Sequence, residues 1–240
     1  MNTPATVAVI GGMGPLASAE FVNTVYEQAT TDREQEMPRL VLWSDPSFPD
    51  RTTALLDGRS DVLAGHLAHA IAQCDAMGAG QVVICCVTVH AVLPLLPTHL
   101  KSRIMSLVDV VLEAAIESER PHLLLTSLGT RRMRVFESHP LWPEASQWLR
   151  WPDEEDHERV HDVIYAIKRQ DGLPQAVVLI RSLLRKYALS SFVAGCTELH
   201  MVQKYWRRHS PVDCIDPLQI VADRIAAPIV VGSPREAGVQ

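Results

Sequence analysis

Val82-Val83-Ile84-Cys85-Cys86-Val87-Thr88-Val89-His90 and Ser191-Phe192-Val193-Ala194-Gly195-Cys196-Thr197-Glu198-Leu199-His200 are two versions of one pattern, about 110 residues apart. Each is a short apolar run of strand type that ends in Cys-x-x-x-His. A short apolar run bounded by a turn is the sequence form of a strand buried on both faces. Its repetition predicts a pseudo-symmetric molecule in which two thiols, Cys86 and Cys196, face one pocket. Two opposed thiols can take a proton from one face of a carbon and return one to the other, which inverts the centre without a cofactor.

Outward from these runs the same alternation continues. Thr6–Ile10, Arg39–Trp43, Gln81–Cys86, His122–Ser127, Ser191–Gly195 and Val212–Ile215 read as strands. Leu16–Thr30, Arg59–Met77, Met105–Glu117, Asp156–Arg169 and Leu173–Tyr187 carry apolar residues at three- and four-residue spacing and read as helices. Strands alternating with helices give an α/β fold of mostly parallel sheets. Gly78-Ala79-Gly80 closes the second helix and feeds the Cys86 strand. Matching turns, Gly11-Gly12-Met13-Gly14-Pro15 in the first half and Leu128-Gly129-Thr130-Arg131 in the second, predict two similar Rossmann-like lobes related by a pseudo-twofold. Ligands of open α/β sheets sit beyond the carboxyl ends of the strands, so the site is expected in the inter-lobe cleft. The expected division is residues 1–100 plus 213–240 for the first lobe and 101–212 for the second.

Composition narrows the function. The chain has 240 residues, is 47% hydrophobic, and carries a net charge of -6 spread along its length without a basic block. That supplies ample core and leaves no footprint for nucleic acid. The start of the chain lacks a basic region followed by a long apolar run, and no stretch approaches the ~20 apolar residues that span a bilayer. A cytoplasmic location and no membrane partner are expected. Five cysteines, an odd number, favour free thiols over a disulfide framework.

A strand end followed by a helix start places each sulfur of Cys86 and Cys196 beside free backbone N–H groups, which predicts lowered thiol pKa values. Cys85 must point to the opposite face from Cys86, into a core; Cys74 and Cys214 read as structural. Two Cys and two His invite a zinc reading, but one Cys-x3-His at each of two strand ends is not the spacing of structural zinc motifs, and no metal is expected. His90 and His200 are candidate partners of the thiols or plain buried histidines, with His200 favoured by its place near Glu198. The glycine turn at Gly11–Gly14 lacks dinucleotide spacing and suits a small carboxylate instead. The Asp45–Thr52 stretch reads as a rigid loop presenting Arg51, a planar fork suited to a carboxylate. Segment 131–157 holds three tryptophans, either a partial lid over the cleft or packing on the lobe surface.

Taken in order, Gly11–Ser18, Pro49-Asp50-Arg51-Thr52, Cys86–His90, Leu128–Arg131, Gly195–Leu199 and Asp216-Pro217 resemble the aspartate/glutamate racemase family over nearly the whole chain. The resemblance implies a two-lobed α/β fold, a homodimer, and no need for pyridoxal phosphate, nucleotide or metal. It implies Cys86 and Cys196 as the catalytic thiols and Arg51 as a carboxylate clamp. It places Met13 and Gly14 in the loop near the substrate and Thr88 and Thr197 beside its α-carboxylate; Thr130 and Glu198 join them as candidate substrate-binding residues, with His200 as candidate acid/base support. The expected activity is racemisation of a small acidic amino acid of aspartate or glutamate type. Val87 departs from the family's usual Cys-Asn-Thr, and Ser44-Asp45-Pro46 from its usual asparagine and proline. A site built around an asparagine amide loses heavily when that bond is unmade. Two other classes therefore stand beside it: an isomerase, decarboxylase or lyase on another small acid, and a non-catalytic carboxylate-binding relative.

Overall fold

The computed structural model describes residues 6–209 and 211–227. The first residues of the chain and the 228–240 part of the expected first lobe lie outside the described residues. Two parallel four-stranded sheets repeat one topology. In the first, β1 (Thr6–Gly11), β2 (Leu40–Ser44), β3 (Ala79–Ile84) and β4 (Ile104–Met105) lie in the order β2-β1-β3-β4. In the second, β5 (His122–Leu125), β6 (Leu149–Arg150), β7 (Ser191–Ala194) and β8 (Asp213–Ile215) lie in the order β6-β5-β7-β8. The second order is the first advanced by four strands, and the two-lobed α/β architecture expected from the repeated motif is present.

The helices are α1 (Pro15–Gln28), α2 (Arg51–Leu56), α3 (Ser60–Ala76), α4 (Thr98–Lys101), α5 (Leu107–Ser118), α6 (Leu128–Arg132), α7 (Trp142–Ala145), α8 (Glu154–Lys168), α9 (Leu173–Lys186), α10 (Leu199–His209) and α11 (Pro217–Ala226). Their starts are written in the sequence. Asp50 accepts from Thr53 N, Ser106 from Asp109 N, Asp153 from Asp156 N, and Asp216 from both Leu218 N and Gln219 N. Each such cap contributes about 1 kcal/mol. Asp153 is backed by Glu154, Glu155 and Asp156 in the first turn of α8, where acidic side chains meet the positive end of the helix dipole.

Alternate strand residues feed different cores. Ala8, Ile10, Val82 and Ile84 pack with α2 and α3, while Val7, Val9 and Val83 turn the other way. Leu123, Leu125, Phe192 and Ala194 pack with α8, α9 and α10, while Leu124 and Val193 turn the other way. The inward sets meet in one shared cluster with Phe21 and Val25 of α1, the apolar face of α5, and Leu218 and Val221 of α11. The inner faces of the two sheets thus bury a common core.

The structure corrects the expected boundaries. β4 extends the first sheet to Met105, and β8 pairs with β7 rather than with the first sheet, so the return to the first lobe begins at α11, which packs on α1 and α5. β3 starts at Ala79, ahead of the expected Gln81, because Gly78 at φ +79 already completes the turn out of α3. Arg51 opens a helix rather than standing in a loop, since Asp50 caps α2. The segment after β3 is a 3-10 helix over Thr88–Leu95 interrupted by Pro94, not an α-helix. In segment 131–157 the tryptophans Trp142, Trp148 and Trp151 pack partly buried against the shared core, and β6 pairs with β5. They serve as packing, not as a lid. No helix of the described residues is long and apolar enough to cross a membrane.

Candidate active site

Each cysteine sits in the turn beyond its strand. Cys86 N donates to Ile84 O at 2.7 Å, a tight turn that carries Cys86 off the line of β3, and Cys85 and Cys86 join opposite cores as the alternation requires. Cys196 joins the outer core of the second lobe. Both are 6% exposed, and all five cysteines are unpaired. The two motifs touch directly, because Thr197 Oγ1 donates to Cys85 O at 3.2 Å across the lobe boundary.

The second lobe supplies a cation to the site. Lys168, the last residue of α8, donates to Met13 O at 2.9 Å and lies 3.2 Å from Glu198 Oε1, at an angle that makes the latter an ion pair rather than a directed hydrogen bond. Burial works against its ammonium, but Glu198 and the two thiols, Cys196 and Cys86, outweigh that and hold its pKa above the ordinary lysine value. Both sulfurs therefore lie within the field of one ammonium.

Glu198 is 2% exposed at its side chain, and its carboxylate is engaged within the protein. Its Oε2 accepts the Cys196 thiol at 2.9 Å. Burial, and then the Glu198 charge, push the Cys196 thiol well above its ordinary pKa even though Lys168 opposes them. This reverses the lowered value expected from a helix start. Helix α10 begins only at Leu199, three residues past the sulfur, and a full carboxylate charge in contact outweighs a partial helix charge. Gly14 is what admits this carboxylate, since an added Cβ would collide with Glu198 Oε1. Gly12 is needed at φ +88, where a side chain would also strike the Asp45 backbone.

Arg51 is 9% exposed and clamps backbone. Its Nη2 donates to Met13 O at 2.6 Å and its Nη1 to Pro49 O at 3.0 Å. Met13 O thus receives both Arg51 and Lys168, one from each lobe. Arg51 Nε is buried without a hydrogen-bond partner, which leaves one edge of the fork unsatisfied. The lobes also meet through hydroxyls. Thr88 Oγ1 lies 3.0 Å from Ser127 Oγ and 2.9 Å from Thr130 Oγ1, and Ser127 also accepts from Thr130 N as the cap of α6.

The two histidines part company. Cys86 O can only accept, so His90 Nδ1 carries the proton of their 2.9 Å bond, and Nε2 accepts from Leu107 N at 3.2 Å, fixing a neutral tautomer. Burial lowers its pKa to about 4. His90 ties the Cys86 backbone to the start of α5. His200 is engaged at both nitrogens: Nδ1 lies 2.6 Å from Asp216 Oδ2 and Nε2 lies 2.8 Å from Thr24 Oγ1. Among the described residues no group of three His, Cys, Asp or Glu is placed to hold a metal.

Sequence reasoning missed Lys168, Ser127 and the mouth contact between Asp50 and Tyr165 of α8, whose hydroxyl donates to Asp50 Oδ2 at 2.7 Å. Ser127 reads in the sequence only as the last residue of the His122–Ser127 strand, and nothing in the local pattern distinguishes Lys168 from a solvated helix end.

The family model for the Asp/Glu/Hydantoin racemases matches residues 10–225. The chain belongs to the Asp/Glu/Hydantoin racemase family. Solved structures show the same fold. An aspartate racemase of Picrophilus torridus superposes with a TM-score of 0.78 at 21% identity, covering 92% of each chain. An aspartate racemase homologue of Pyrococcus horikoshii gives 0.62 at 17% identity, over 92% of this chain and 96% of that one. A glutamate racemase of Campylobacter jejuni gives 0.61 at 12% identity, over 92% and 84%. Within this racemase family, Val87 is buried in the shared apolar core and offers a ligand no amide.

Proposed function

We propose that the protein racemises a small acidic amino acid, of aspartate or glutamate type, by 1,1-proton transfer between Cys86 and Cys196 without a bound cofactor. The observation that carries the reading is the pair of thiols at equivalent strand ends, one per lobe, equally buried and both within the field of Lys168. One thiolate takes the α-proton and the opposite thiol gives its own to the other face, so the carbon is inverted and no electrons leave the site. The unsatisfied edge of Arg51 and the Lys168 ammonium suit the carboxylates, and they oppose the negative charge that builds as the α-proton departs. The Thr88, Ser127 and Thr130 hydroxyls can rotate toward a carboxylate without leaving their backbone seats.

The test is solvent deuterium entering the α-position, followed together with optical rotation, across aspartate, glutamate and other small acids. Wild-type protein is expected to exchange and racemise at least one of them, and Cys86→Ser and Cys196→Ser to lose racemisation. Full turnover in both variants rejects the two-thiol scheme. Tight binding with no exchange across the panel moves the protein to a carboxylate-binding role, and a covalent adduct on one cysteine moves it to a lyase-type reaction.

A further inference from the structure

The two thiols are built alike in sequence but not in charge. Cys196 has a carboxylate in contact, Glu198 Oε2 at 2.9 Å, with Lys168 on the far oxygen at 3.2 Å, whereas no carboxylate hydrogen bond reaches Cys86 among the described residues. A thiol, a carboxylate and an ammonium in a row carry zero net charge with one proton on sulfur. Removing that proton would set two anions in contact in a site where Glu198 is 2% and Lys168 20% exposed. The carboxylate is not there by accident of a flexible side chain: the missing side chain at Gly14 leaves its seat, and the ion pair to Lys168 holds it.

We propose that Glu198 assigns the resting roles of the two sulfurs, holding Cys196 protonated as the proton donor and leaving Cys86 as the base. The inference rests on the two-thiol reading for its role in turnover, but not for the protonation state itself. In the assigned direction Cys86 sulfur accepts the α-proton and Cys196 sulfur delivers its own to the opposite face. The resting form returns when Cys86 gives a proton to water and Cys196 takes one up. Lys168 is a positioning residue here, because its ammonium, 3.2 Å from Glu198 Oε1, holds the carboxylate against the thiol.

The experiment is iodoacetamide alkylation of the intact protein against pH, with each cysteine followed separately by peptide mass. The midpoint of the profile reports ionisation and the plateau reports access. In wild-type protein the Cys196 midpoint is expected well above that of an ordinary thiol. Glu198→Gln removes the neighbouring anion and leaves Lys168 facing the sulfur, so the Cys196 midpoint should fall by about one pH unit or more, a tenfold or larger gain in reactivity at neutral pH. Gly14→Ala, which displaces the carboxylate while keeping its charge in the protein, should move it the same way and serves where Glu198→Gln fails to fold. A purely structural Glu198 would change the plateau and leave the midpoint in place, and that result overturns the assignment. Because no substrate is involved, a protein without racemase activity can still show the midpoint shift, so the two readings fail separately.

Discussion

Acid should unfold this protein partly through His90. Its imidazole is held neutral, with a pKa of about 4 against an ordinary 6.5, because burial penalises the charged ring. The folded-state pKa is depressed, so between these values the unfolded chain binds the extra proton and stability falls as pH falls. At pH 5 the unfolded imidazole is almost fully protonated and the folded one almost fully neutral, which amounts to roughly 2 kcal/mol lost relative to pH 7.5 from this one residue. Urea denaturation of wild-type protein and of His90→Gln, each at both pH values, isolates the contribution. Glutamine keeps a neutral donor and acceptor but cannot titrate, so the variant should lose about 2 kcal/mol less than wild type on acidification, whatever its own stability at pH 7.5. Equal losses in the two proteins would refute a buried neutral His90, and with it the tie between the Cys86 carbonyl and the start of α5.

His122 and His157 are also pushed down to about 4 by burial, so the pH dependence left in His90→Gln should still slope the same way between pH 6.5 and 4, read from the same denaturation curves. Tyr165→Phe removes the 2.7 Å bond to Asp50 across the mouth; stability should drop by ~1 kcal/mol, about 2–4 °C in Tm, and the alkylation plateau of both thiols should rise. No change in either readout would show that this contact does not hold the mouth shut. Asp216→Asn replaces the carboxylate that pairs with the wholly buried His200 and should cost about 1–3 kcal/mol in a denaturation titration, while Cys196 alkylation keeps its midpoint. Arg51→Lys keeps the charge but not the fork, and should raise KM at least ~10-fold in the exchange assay; an unchanged KM would limit Arg51 to stapling the Met13 loop.

The legible part of the site was the part encoded locally. Cys86 and Cys196 announced themselves as strand ends because a strand, a turn and a reactive residue are consecutive in the chain, and the offset between copies disclosed the two lobes. Lys168 was illegible for the opposite reason: at the end of an amphipathic helix a lysine reads as solvated, and only the seating of α8 on the first lobe brings its ammonium to Met13 O and Glu198. His90 and His200 hold the same place in the same motif yet serve different ends, since one meets a carbonyl and a helix start and the other a buried aspartate on α11. The Cys196 thiol pKa is raised rather than lowered because burial and the Glu198 carboxylate, both set in three dimensions, outweigh the partial charge of a helix terminus. Arg51 was found by chemistry but assigned to a loop, although Asp50 before it has the residue type of a helix cap. β4 and β6 have two residues each, too short for any pattern to register.

The kinds of contact that join the lobes differ from one side to the other, and this decides how a ligand can enter. Val9 and Val83 of the first sheet and Leu124 and Val193 of the second share one apolar core with α1, α5 and α11, and parting them would expose surface that water does not repay. Across the mouth, Tyr165 meets Asp50, Lys168 meets Met13 O, and Thr88 meets Ser127 and Thr130, all polar contacts that water can replace at little net cost. The thiols and the Thr88, Thr130 and Thr197 hydroxyls are nearly closed off between these two sides, and the gap beside Gly14, Lys168 and Glu198 is about 10 Å³, at most the space of a single water. On the proposed reading, a small acidic ligand enters by parting the polar contacts while the apolar core stays closed. Arg51 and Lys168, which both donate to Met13 O, are on that reading the donors a carboxylate would take over, so binding and closure would draw on the same groups.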